Sequence, residues 1–166
     1  VNLPSMLSYC IRPIQDADWP AILRLQAAAY HAFDPESEAV MRSKQQLGPH
    51  SCLVADAAGQ VVGYCLAHPW KADEPAGLDT LYPAPAGHSS LYIHDVVVSA
   101  DWRGQGIAEA FLQRLTRQQP ALPAQLALVA VQDADRFWRR HRFRAVPCRK
   151  DLDAYGPGAV YMQRHD

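Results

Sequence analysis

The segment Ser90 to Ser99 (SLYIHDVVVS) runs into Arg103-Gly104-Gln105-Gly106-Ile107-Ala108 and then into a helical repeat, and no other feature constrains the fold as tightly. Ile93, Val96, Val97 and Val98 favour a strand, since β-branched side chains fit a pleated, half-buried surface. Downstream, Ile107, Phe111, Leu112 and Leu115 fall on one side of a helix over Gly106 to Gln119, with Glu109, Gln113 and Arg117 on the other. Pro120 ends that helix. A strand that delivers a glycine-rich turn to the start of a helix belongs in a layered α/β architecture.

The remaining segments fit the same frame. Ser8 to Pro13 reads as a first strand. Asp16 or Asp18 caps a helix through Tyr30 that buries Ile22, Leu25, Gln26 and Ala29, with Pro20 in its first turn. A second helix runs from Pro35 to Leu47 and stops at Gly48-Pro49. Ser51 to Asp56 and Gln60 to His68 form a hairpin around Ala57-Ala58-Gly59. Gln125 to Val131 (QLALVAV) is apolar throughout, as expected of a strand covered on both faces. A helix over Asp133 to His141 and two strands, Ala145 to Arg149 and Ala159 to Arg164, close the chain. The expectation is one domain over residues 1–166: a mixed, centrally splayed sheet with helices on both faces. Between Pro69 and Ser89 the prolines and glycines forbid regular structure. A loop of that length is either a substrate-side lid or a solvated connection. Trp70, Tyr82 and His88 line a pocket in the first case and pin the loop to the surface in the second.

Glycines at Gly104 and Gly106 let consecutive backbone N–H groups approach a ligand without interference from Cβ. These are the unsatisfied donors of a helix start, where the dipole adds positive potential. A diphosphate uses several such donors at once, and Arg103 adds a charge-assisted one. The loop is no Walker motif, because GK[ST] does not follow. It is no dinucleotide fingerprint either, because only two of the three glycines are present.

Embedded in this way, Arg103, Gly106 and Ala108 resemble the signature of the GNAT superfamily of N-acetyltransferases: Gln or Arg, two residues, Gly, one residue, then Gly or Ala. The stretch LYIHDVVVSADWRGQGIA is similar to that of polyamine (spermidine/spermine) acetyltransferases. The resemblance implies acetyl-CoA as acyl donor, and no residue pattern in the sequence calls for a metal. Main-chain groups of Val96, Val97 and Val98 then pair with the pantetheine arm, while Arg103, Gly104, Gln105, Gly106, Ile107 and Ala108 hold the pyrophosphate. The segment Ala134-x-x-Phe137-Trp138-Arg139-Arg140-His141-Arg142-Phe143 resembles the family's Ala-x-x-Phe-Tyr-x-Lys-x-Gly-Phe, which adds Phe137, Trp138 and Arg140 to the expected coenzyme contacts. It departs in three places. The family's Asn falls at Val131, its tyrosine acid at Trp138, and its helix-ending Gly at Arg142. An indole cannot protonate a thiolate. The basic residues around this segment, from Arg136 to Lys150, include candidates for the 3′-phosphate.

Transfer to an amine requires a neutral nucleophile. For a lysine-like amine, deprotonation at pH 7 costs about 4.6 kcal/mol, and desolvation supplies much of that shift. A modest base therefore suffices, and direct attack on the thioester needs no covalent enzyme intermediate. His94 is the candidate base, since imidazole is the side chain suited to proton transfer near neutral pH; the alternative is a half-buried histidine with one structural hydrogen bond. The resembling enzymes carry acidic residues at both His94 and Asp95. Strand alternation puts His94 on a face with Tyr92 and Val96, and Asp95 opposite unless a bulge intervenes. Tyr155, in the turn before the last strand, is the candidate replacement acid.

Net charge −1 and a pI near 6.7 provide no global field for nucleic acid. No apolar run reaches the roughly 20 residues of a membrane span. Val1 to Cys10 shows no signal-peptide pattern, so the expected location is cytoplasmic. Cys10, Cys52, Cys65 and Cys148 are scattered, unlike zinc ligands or a disulfide framework. The expected function is therefore acyl transfer to an amine of a small molecule or peptide, with a non-catalytic CoA-binding module as the alternative. A homodimer is compatible with the sequence.

Overall fold

The computed structural model describes residues 8–30, 34–81, 89–117 and 125–165. The expectations for Tyr82, His88 and Pro120 lie outside these residues. Among the described residues seven strands form one sheet, in the order β1-β2-β3-β4-β5-β7-β6. They are β1 (Cys10–Pro13), β2 (Leu53–Ala57), β3 (Gln60–Trp70), β4 (Ser90–Val98), β5 (Gln125–Ala130), β6 (Arg144–Ala145) and β7 (Val160–His165). Only β4 and β5 are parallel neighbours. The helices are α1 (Trp19–Ala29), α2 (Glu38–Leu47), α3 (Ile107–Arg117) and α4 (Asp135–Arg140).

The apolar periodicity decides which face each helix covers. Ile107, Phe111, Leu112 and Leu115 of α3, with Trp138 of α4, pack on Leu91 and Ile93 of β4 and on Leu126 and Leu128 of β5. Trp19 and Ile22 of α1 and Met41 of α2 pack on the opposite face against Val54, Tyr64, Leu66 and Val97. The expected mixed sheet with helices on both faces is therefore present.

Several boundaries shift for physical reasons. Ser51 belongs to the turn that ends α2, where its amide donates to the Gly48 carbonyl at 3.1 Å, so β2 begins later. β3 continues through Pro69 to Trp70. Beyond Cys65 it pairs only with β4, so the missing proline N–H falls on an edge. The strand expected over Ala145 to Arg149 contracts to two residues because Pro147 cannot donate to the ladder. α4 starts late because Gln132 and Asp133 take left-handed φ values of 51° and 63°.

The end of α4 explains how the chain tolerates Arg142. The Phe143 amide donates to the Trp138 carbonyl at 3.1 Å and the Arg142 amide to that of Arg139 at 3.1 Å. These are the two bonds of a Schellman closure, with Phe143 stacked edge-on to Trp138 at 5.3 Å. Arg142 takes the left-handed position, φ 70°, that glycine fills without strain. Arg142→Gly is expected to be neutral to stabilising by up to about 1 kcal/mol, and Arg142→Val destabilising by about 1 kcal/mol or more. Urea unfolding of the two variants checks the ordering.

Candidate active site

β4 and β5 pair over only four residues, Ser90 to Ile93 against Gln125 to Leu128, and then separate. The later part of β5 still pairs with β7, and the later part of β4 still pairs with β3. Each strand therefore turns one main-chain edge into the wedge between them. The wedge is a cleft of about 760 Å³. Val96, Val97 and Val98 line one wall, Val129 and Val131 the other, and Ile93 and Leu128 meet at its apex.

The glycine-rich turn closes one end. Gly104 and Gly106 have φ of 78° and 79°, so both depend on glycine for conformation. A Cβ on Gly104 would meet nothing within 4 Å, and one on Gly106 would approach only the Tyr9 hydroxyl at 3.8 Å, so both would project into open space. The first bond of α3 runs from the Ala110 amide to the Gly106 carbonyl at 2.9 Å. The amides of Ile107, Ala108 and Glu109 thus have no partner within their own helix, which makes this end a ready anion cradle. Arg103, Gly104, Gly106, Ile107, Ala108, Phe137, Trp138 and Arg140 all line the cleft. Gln105 does not, and its carbonyl accepts from the Tyr9 hydroxyl at 3.3 Å. Tyr30, Trp102 and Gln132 also line the cleft, and no motif in the sequence marks them.

His94 and Asp95 come together through a break in strand register. Asp95 pairs with Leu66 and Ile93 with Ala67, which leaves His94 as an extra residue in β4. The bulge reverses the alternation beyond it. Val96 joins the α3 side and Val97 the α1 side, and Asp95 turns to the same face as His94. The Asp95 carboxylate is buried near the Tyr64 hydroxyl at 3.5 Å and hydrogen-bonds Tyr30. Burial raises its pKa above the ordinary carboxylate value.

His94 Nε2 lies 2.8 Å from Oε1 of Glu36, on the connection between α1 and α2, and both side chains are 2% exposed. Both Glu36 oxygens accept from Lys44 Nζ at 3.0 Å. Oε2 also accepts from the Asp79 amide at 2.6 Å. Burial pushes Glu36 up, but the hydrogen bond from His94 and the Lys44 ammonium overcome it and hold the carboxyl at about 2. Glu36, His94 and Asp95 are the one group among the described residues that brings metal-type donor atoms together, within 4.8 Å. With every Glu36 lone pair engaged, the carboxylate serves as a hydrogen-bond hub. The sequence carried one signal of this hub: Lys44 occupies the apolar stripe of α2 with Val40 and Met41, and all three are buried.

Tyr155 is buried outside the cleft lining, and its hydroxyl donates to the Ala76 carbonyl. Burial pushes it up to about 12, which makes it a weak proton donor. Trp138 packs into the core between Phe137 and Phe143. Cys52 is pushed up to about 12 by burial and is no ready nucleophile.

The family model described as Acetyltransferase (GNAT) family matches residues 19–143. Ard1 from Thermoplasma volcanium has a similar structure, with TM-score 0.73, 18% identity, and 95% of this chain and 97% of that one covered. Arabidopsis thaliana Naa50, solved with the bisubstrate analogue CoA-Ac-MVNAL, gives TM-score 0.73 and 12% identity over 96% and 99%. The ribosomal-protein-S18-alanine N-acetyltransferase from Escherichia coli gives 0.69 and 19% over 95% and 94%. No curated protein sequence matches significantly. The narrower likeness to polyamine acetyltransferases finds no support in these comparisons. No helix among the described residues is long and apolar enough to cross a membrane.

The buried His68 supplies a pH test. Desolvation lowers its pKa from the ordinary 6.5 to about 3. The unfolded chain therefore takes up a proton that the folded one refuses, and this contribution to stability, complete above pH 6.5, is lost as pH falls toward 3. Glu36, also depressed, adds a loss only below its ordinary value of 4.5. Between pH 7 and pH 5 the His68 contribution is about 2 kcal/mol. Urea unfolding at both pH values is expected to show that loss in the parent and a smaller one in His68→Phe.

Proposed function

The chain belongs to the acetyltransferase (GNAT) family, and on that premise we propose that it moves an acetyl group from acetyl-CoA to an amine of a small molecule or peptide. The observation that carries this reading is the continuity of the cleft: an anion cradle at one end, unpaired β4 main chain along it, and a histidine–carboxylate cluster at the other end. The amides of Ile107, Ala108 and Glu109, with Arg103 beside them, receive the diphosphate. Along Val96 to Val98 the main-chain groups that β3 leaves free face the wedge and meet the pantetheine amides, and Phe137 and Arg140 line the same cleft.

His94 takes the amine proton as the new N–C bond forms to the acyl carbon. The C–S bond breaks with its electron pair on sulfur, and CoA leaves as the thiolate. Trp138 cannot donate to that sulfur. The Tyr155 hydroxyl is held by the Ala76 carbonyl, and departure as the thiolate requires no proton from either residue. Asp95, buried beside Tyr30 and Tyr64, keeps the acyl end of the cleft polar on one side.

A second reading has the same cofactor but no turnover. It is favoured by Trp138 at the tyrosine position and by the burial of the His94 ring. Release of free CoA thiol from acetyl-CoA over a panel of alkylamines, amino sugars and short peptides separates the two. Acyl transfer predicts turnover with at least one acceptor, and a binding module predicts tight CoA binding with none. Gly106→Asp places a carboxylate and a strained backbone in the cradle and is expected to weaken CoA binding at least about tenfold by calorimetry. His94→Ala is expected to lower kcat by about 100-fold or more with CoA affinity little changed.

A further inference from the structure

His94 offers one nitrogen to Glu36 and keeps the other. Its Nδ1 is buried and has no hydrogen-bond partner among the described residues. An ionised carboxylate only accepts, so the nitrogen facing Glu36 carries the proton. In a neutral imidazole the other nitrogen is then a bare lone pair. A buried acceptor left unmet costs free energy, which a ligand N–H donor removes. His94 is also among the residues lining the cleft.

Glu36 is unusually constrained for a residue on a connection. Its main chain is clamped by Gln26, whose Nε2 donates to the Glu36 carbonyl at 3.0 Å while its Oε1 accepts from the Glu36 amide at 2.9 Å. Its carboxylate is fixed by Lys44, a fully buried ammonium. Such a buried pair contributes little net stability, but it holds geometry. The structure thus spends a buried lysine and a buried glutamine on placing one carboxylate against one imidazole.

We infer that Glu36 is a positioning residue: it locks His94 in the Nε2–H tautomer and leaves the Nδ1 lone pair for the incoming amine proton. This role rests on the acyl-transfer reading above. Lys44 and Gln26 act through Glu36. The Asp79 amide on its second oxygen ties the segment around Asp79 to the same hub.

Two measurements test this on the full chain. The first is nitrogen NMR of protein labelled with ¹⁵N-histidine, in which His94→Gln assigns the signals. The parent is expected to show His94 with Nε2 protonated and Nδ1 bare. The second is steady-state kinetics with acetyl-CoA and the acceptor panel. Glu36→Gln alone strands the Lys44 ammonium, so the informative variant is Glu36→Gln/Lys44→Met, which removes both charges. It is expected to lose the single tautomer and about 10- to 100-fold in kcat, with the KM for acetyl-CoA and the CoA affinity within about twofold. A purely structural role would move stability and leave kcat of the folded enzyme unchanged. A protonated Nδ1 in the parent, or a double variant that matches the parent in kcat, overturns the proposal. A parent that turns over no amine overturns the wider acyl-transfer reading and this role with it. Normal parent turnover with an unaffected variant overturns this role alone.

Discussion

The structure depends on an interruption of its central ladder. β4 and β5 share four paired positions and then part. Exposed main-chain donors and acceptors are costly to leave unmet once water is excluded. A sheet that opens in its middle therefore needs something to fill the gap. The flanking pairs keep the wedge open: β4 stays bonded to β3, and β5 to β7, along the divergent stretch. The opening thus ends at Leu128 and Ile93 and does not propagate.

The bulge at His94 belongs to the same device. One extra residue in β4 changes the side of every residue after it. Without it Asp95 would point into the apolar layer under α3, where a carboxylate has no partner. With it, Asp95 reaches Tyr30 and Tyr64, and Val96 and Val98 pack against the α3 side. The price is a cluster of ionisable groups under α1 and α2, answered by Lys44 on Glu36 and by hydrogen bonds from His94, Asp79 and Gln26. Removing one partner of such a buried pair costs about 3–5 kcal/mol, whereas replacing both by apolar groups is often tolerated.

The sequence revealed the parts of this arrangement that rest on local chemistry. Gly104 and Gly106 signalled the cradle because their positive φ and the helix start are encoded within a few residues. The two-faced pattern of Ile107, Phe111, Leu112 and Leu115 showed how α3 packs. What remained hidden depends on contacts distant in sequence. Glu36 lies in Asp34-Pro35-Glu36-Ser37-Glu38, where an acid reads as helix-start chemistry, and Ser37 does cap α2, its hydroxyl accepting from the Val40 amide at 3.2 Å. Its pairing with His94 spans 58 residues and requires the sheet. The bulge was undetermined because strand alternation has no local mark for an inserted residue. Tyr155 attracted attention by chain position, yet the turn that carries it folds toward Ala76.

The wedge, the cradle and the bulge together fix where acetyl-CoA should lie, and a crystal structure of the complex measures that directly. The expected density has the diphosphate on the amides of Ile107 to Glu109, the pantetheine along Val96 to Val98 inside the wedge, and the thioester beside the bulge at His94. Density for the coenzyme outside the wedge, or a diphosphate held away from the Gly104–Gly106 turn, would contradict it.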